Sequence, residues 1–145
     1  MSYAPEYYGS SVQRGKITID GTLVSGGASV PTIINLPDHP AGDTWQGVTE
    51  TVLEYEDGSP LNLVDASLLM QIKRRRSDRL PVLELSSEAN DITIVDATGG
   101  VFSISPQSID LSPGDYVYDL QVTLRNGDVM TPIQGNWKIT SDVSR

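Results

Sequence analysis

Leu111-Ser-Pro-Gly-Asp-Tyr-Val-Tyr-Asp-Leu120, continued by Gln-Val-Thr-Leu124, decides how the rest of the chain is read. Pro113-Gly114 is a turn signal, because proline presets φ and glycine accepts the positive φ of a type II turn. Beyond it, Tyr116, Tyr118, Leu120, Val122 and Leu124 alternate with Val117, Asp119, Gln121 and Thr123. A period of two marks a strand with one buried and one wet face. A tyrosine just past such a turn sends its ring into the core and its hydroxyl back to the turn backbone, as in the tyrosine corner of β-sandwiches. The stretch therefore predicts a central strand.

Downstream, Asn126-Gly127 is the strongest two-residue hairpin signal. It leads into Val129-Met-Thr-Pro-Ile-Gln-Gly-Asn-Trp-Lys-Ile139, where Ile133, Trp137 and Ile139 share a face and Pro132 predicts an edge. Upstream, Pro106-Gln-Ser-Ile-Asp110 reads as a single helical turn. Val101-Phe-Ser-Ile-Ser105, Ile92-Thr-Ile-Val95 and Pro81-Val-Leu-Glu-Leu-Ser86 read as short strands, with Phe102 and Ile104 inward. Ala66, Leu68, Met70 and Ile72 share one face of a further strand ending at Lys73, with Leu69 on the other. Thr44-Trp-Gln-Gly-Val-Thr-Glu-Thr-Val-Leu-Glu-Tyr55 reads as one strand with a bulge at Gly47. About seven short strands separated by turns and no long helix predict an all-β fold. The expected architecture over 44–145 is an immunoglobulin-like β-sandwich with Greek-key connections, with a small barrel as the alternative.

Residues 1–43 read as an extended N-terminal arm and linker. Lys16-Ile-Thr-Ile-Asp-Gly-Thr-Leu23 alternates, Val30-Pro-Thr-Ile-Ile-Asn-Leu36 supplies a second extended piece confined to an edge by Pro31, and Pro37-Asp-His-Pro-Ala-Gly-Asp43 is a linker by composition. So few apolar groups do not offset an ordering cost of ~1–2 kcal/mol per residue. The arm is then either a disordered tail or a segment ordered by neighbouring subunits, its strands completing another sheet. The second reading makes Tyr3, Tyr7, Tyr8, Ile17, Ile19, Leu23, Ile33 and Ile34 candidates for subunit contact.

The totals narrow the chemistry. A 145-residue chain with a formal charge of −9 has little general attraction for phosphate backbones. No apolar run approaches the ~18–20 residues of a membrane helix, and no basic n-region with an h-region opens the sequence. Cysteine is absent, which removes disulfides, thiolate metal sites and cysteine nucleophiles. The one histidine, His39, lies in the linker, a poor place for a base and a poor ligand set on its own. Glu54, Glu56 and Asp57 crowd one turn but lack the spacing of a calcium loop. No catalytic, cofactor-binding or metal-binding residues are assigned, and no cofactor is expected.

Lys73-Arg-Arg-Arg-Ser-Asp-Arg79 gathers five of the ten basic residues into seven positions. A solvated hairpin loop is the plain reading. Nucleic-acid binding would call for interleaved aromatics or a broad basic face. A basic tip on an acidic body instead favours contact between copies, which adds Arg74, Arg75, Arg76 and Arg79 to the contact candidates.

Asp43-Thr-Trp45, Tyr55-Glu-Asp-Gly-Ser-Pro-Leu-Asn-Leu63, Ala66 with Met70-Gln-Ile-Lys73, Leu83-Glu-Leu-Ser-Ser87 with Ile92-Thr-Ile94, the 111–120 stretch, Asn126-Gly127, Gln134-Gly135 and Ile139-Thr-Ser-Asp-Val-Ser144 form an ordered string. In that order they resemble a family of small tailed-phage virion proteins and fibre- or baseplate-linked modules; the N-terminal domain of phage baseplate upper proteins is a similar case. The resemblance covers roughly residues 43–144 and implies an Ig-like domain in a virion, with Trp45, Tyr116, Tyr118 and Trp137 as core and no active-site residues to carry over. Where the family turn near residue 65 carries glycine, this chain has Val64-Asp65, and aspartate also tolerates the left-handed region. The expected function is a non-enzymatic structural component of a bacteriophage particle, a tail/baseplate or fibre-attachment adaptor. It is made in the host cytoplasm and located in the virion, and it contacts other virion proteins and copies of itself as a homo-oligomer, with no nucleic acid or membrane partner. Capsid cement and a host-surface carbohydrate-binding module are the alternatives.

Overall fold

The computed structural model describes residues 15–19, 31–55 and 57–141, which form strands and turns without a helix. In chain order the strands are β1 (Gly15–Ile19), β2 (Thr32–Ile33), β3 (His39–Pro40), β4 (Thr44–Trp45), β5 (Val48–Tyr55), β6 (Ser67–Lys73), β7 (Leu83–Ser86), β8 (Ile92–Asp96), β9 (Val101–Ile104), β10 (Gln107–Ser108), β11 (Gly114–Thr123) and β12 (Val129–Thr140). One sheet has the order β1-β5-β9-β8. A larger one has the order β2-β12-β11-β6-β7, with β3 also paired to β12; β10 and β4 form a third, two-stranded sheet. Leu53, Ile92 and Phe102 from the first sheet and Met70, Leu120 and Trp137 from the second belong to one apolar cluster. The result is sandwich-like, as two half-buried sheets require.

β11 is central, flanked by β12 and β6 over most of its length. Tyr116, Tyr118, Leu120 and Val122 are buried, as the alternation predicts. The Tyr116 hydroxyl donates to the Ser112 carbonyl at 2.6 Å, closing the corner ahead of the strand. The turn itself differs from expectation. Gly114 does not take a positive φ but opens β11 opposite Ile139.

Four other local readings are corrected. Gly47, at φ +75°, separates β4 from β5, and a Cβ there would lie 2.1 Å from the Ile104 carbonyl oxygen. The one expected strand is therefore two, in different sheets. The 106–110 segment is not helical; it supplies β10, paired with β4. The 124–128 turn is a three-residue loop, because Leu124 N–H donates to Asp128 O and Gly127 N–H to Leu124 O, each at 2.8 Å. Only Gly127 is left-handed there, at φ +92°, which matches a type I turn with a glycine bulge. Pro132 does not mark an edge, since β12 is paired on both sides. It sits between Met130 and Ile133, where the β11–β12 register shifts, and a bulge tolerates the missing donor. Asp65 does adopt φ +59°.

The linker reading of 37–43 is also corrected. β2 and β3 both run parallel along β12, with Thr32 opposite Ile133 and His39 opposite Ile139. Between them Ile34 N–H donates to Gln134 O at 2.9 Å and Leu36 N–H to Asn136 O at 3.0 Å. Two core aromatics reach into the same segment with their polar ends: Tyr118 OH donates to Ile34 O at 2.6 Å, and Trp137 Nε1–H to Pro37 O at 3.0 Å. Residues 32–40 thus run along β12 at the edge of the large sheet. β1 pairs in parallel with β5 of the same chain, Gly15 opposite Thr51 and Ile19 opposite Tyr55.

Candidate interaction surfaces

The β6–β7 connection carries the basic run. Its turn is held by two contacts, Asp78 N–H to Arg75 O at 3.1 Å and Arg75 N–H to Asp78 Oδ2 at 3.2 Å. The four arginines then divide. Arg74 lies over the Tyr116 ring, 5.2 Å from its centroid, a cation–π contact. Arg76 donates from Nη2 to Gly135 O at 3.1 Å. All four are exposed, but Arg74 and Arg76 each touch the body, while Arg75 and Arg79 lie on the turn. Between them and β7 stands Leu80, 81% exposed, followed by half-exposed Val82. Guanidinium groups stay charged and present fixed donors. Around an exposed leucine they suit binding to a surface that is acidic and has an apolar recess.

On the outer face of the large sheet, Asp119 stands between Gln71 of β6 and Gln134 of β12. Its Oδ1 is buried without a hydrogen-bond partner. Burial raises its pKa, and the nearby Lys73 and Arg76 charges only partly counter that. Tyr118 is pushed up to about 12, chiefly by burial, with Arg76 opposing. Both shifts follow from desolvation of the charged form.

At the other end of β6, the 57–65 loop, the 97–100 turn and the 124–128 hairpin come together. Leu63 N–H donates to Ala97 O at 2.8 Å. Asn62, Val64, Leu124, Arg125 and Asn126 line an open depression of about 400 Å³. Arg125 Nε lies 3.7 Å from Asp65 Oδ2, and Asn126 Nδ2 donates to Asp128 Oδ2 at 3.2 Å. Asp57, held ionised to lower pH by hydrogen bonds from Ser59, is on the turn leading into this end.

A second cavity, about 220 Å³, lies between the sheets against Ile34, Trp45, Met70, Phe102, Tyr118 and Leu120. The hydroxyls in its wall are engaged, Thr51 with Thr49 O and Tyr118 with Ile34 O. His39 is buried, its Nε2 2.8 Å from Asp43 O and its ring 6.0 Å from that of Trp137. Its role here is to fasten β3 to the core. Among the described residues, no group of three His, Asp or Glu side chains gathers as a metal site.

The expected contact residues are scattered over these surfaces. Tyr3, Tyr7, Tyr8 and Leu23 lie outside the described residues. Ile17 and Ile19 are in β1, opposite Leu53 and Tyr55. Ile33 is 60% exposed on β2, at the sheet edge, whereas Ile34 packs against the core. Leu80 and the Val64–Leu124 recess were not singled out by sequence reasoning. The signal for Leu80 was an apolar residue beside Pro81 in an otherwise charged loop. No family model matches the chain, and no curated protein matches it.

Proposed function

We propose that the protein is a non-enzymatic structural component of a bacteriophage particle, an adaptor of the tail, baseplate or fibre attachment. On this reading it joins its neighbours through the N-terminal segment and the sandwich edges. The observation that carries it is the β6–β7 tip, where Arg75, Arg79 and the exposed Leu80 form a surface suited to contact. The edge residue Ile33 adds a second apolar contact point. The sequence resemblance over 43–144 supplies the particle.

The Ig-like assignment is part of the same proposal. Its support is the strand order: β5-β9-β8 faces β12-β11-β6-β7, which fits B-E-D against G-F-C-C′, and Tyr116 stands at the start of the F-equivalent strand. The parallel β1–β5 pair departs from an all-antiparallel sheet. Competition during particle assembly tests the function: a chain lacking residues 1–30 should fold yet be excluded from particles in favour of the full chain. Equal incorporation of the two forms would remove the N-terminal segment from the proposed attachment.

A further inference from the structure

We infer that the β6–β7 tip of one molecule docks into the Asn62/Val64/Leu124 depression of a second copy, giving a head-to-tail contact. This deepens the structural reading above and rests on it, by naming the partner of the tip.

The two surfaces are at opposite ends of the large sheet. β6 starts beside Thr123 of β11 and ends beside Val117, so seven residues, roughly 23 Å of strand, separate them. A molecule therefore cannot dock its own tip into its own recess, and the occupant comes from another molecule, here a second copy. Shape and charge both match. Leu80 is an 81%-exposed apolar side chain on the β6–β7 loop, and the depression is lined in part by Val64 and Leu124, with more volume than a leucine fills. Arg75 and Arg79 are exposed on the same loop, ahead of Leu80. Asp65 and Asp128 flank the depression, and Asp96 ends β8 just ahead of the adjoining turn. Among the described residues that line it, the one cation, Arg125, is already opposed by Asp65. An apolar anchor seated in a pocket with a complementary charged rim is the arrangement that concentrates binding energy and fixes register.

Because the two patches differ, the contact is heterologous, and repetition closes a ring or runs on as a filament according to the rotation per step. Either form suits an element that lies in a circular or stacked assembly.

The absence of cysteine in the chain gives a clean test. Full-length Leu80→Cys and Val64→Cys proteins are mixed under mild oxidation. The expected product is a disulfide-linked heterodimer of one of each. Adding Arg75→Glu and Arg79→Glu to the first partner should lower its yield about tenfold, and salt should lower it too. Leu80→Cys homodimers forming as readily as the mixed product would overturn the inference, as would a yield indifferent to the arginine changes. The same charge-reversed chain is then followed into particles. Loss of incorporation without any effect on the crosslink would assign the tip to a different virion protein, overturning this contact while leaving the structural role standing.

Discussion

Gly135 shows how one side chain's absence organises the N-terminal segment. A Cβ there would lie 1.9 Å from Ile34 O and 3.0 Å from Tyr118 Cε1, so Gly135→Ala must push residues 31–36 off β12 or distort it. The expected cost is about 1–3 kcal/mol, read as a lower denaturant midpoint together with new protease cleavage in 31–36. Asp119 carries a prediction of opposite sign. Its folded-state pKa lies above the ordinary 3.8, so the proton-bound form favours the fold. That contribution is complete below pH 3.8 and is lost as pH rises through the raised folded value. Asp119→Asn should therefore stabilise the protein at pH 7, by no more than about 1 kcal/mol because the group is partly solvated. Thermal melts of the two proteins should converge as pH falls below 3.8. A constant gap across pH would mean that Asp119 is not the source. Neither position could be valued from sequence: the Gly135 requirement depends on Ile34, about a hundred residues earlier, and Asp119 looked like any outward residue of an alternating strand.

At the scale of elements, the regular strands were legible and the irregular ones were not. The 111–124 alternation and the Ala66, Leu68, Met70, Ile72 face carried enough period-two signal to place β11 and β6 and their inward sides. β2, β3, β4 and β10 are two-residue strands, too short for any period, and each is defined by a partner elsewhere in the chain. Residues 37–43 look like a linker because proline, histidine and aspartate dominate them. The Trp137 hydrogen bond to Pro37 O and the pairing of β3 with β12 overrule that composition. A pair of truncations measures the consequence. Removing residues 1–30 should leave a cooperative melt. Removing 1–42 strips two buried donors of their partners, at ~1–3 kcal/mol each, along with β2 and β3. It should lower the melting temperature by at least about 10 °C. Equal melting of the two truncated forms would show that 31–42 does not belong to the folded body.

For the whole molecule, the sequence's contrast between a basic run and an acidic chain has become a matter of placement. The arginines lie beyond one end of β6, and Asp65 and Asp128 beyond the other, next to the recess. Composition gave the charges, but opposite ends and a receiving depression needed the pairing of β6 with β11. The central claim is that this polarised body works as a built-in part of a phage particle. Its most direct test is density-gradient purification of phage particles from a lysate in which the full chain carries an epitope tag, followed by immunogold imaging. The expected result is co-sedimentation with intact particles and labels confined to the tail, baseplate or fibre attachment. Tag found only in the soluble fraction, with unlabelled particles, would contradict it.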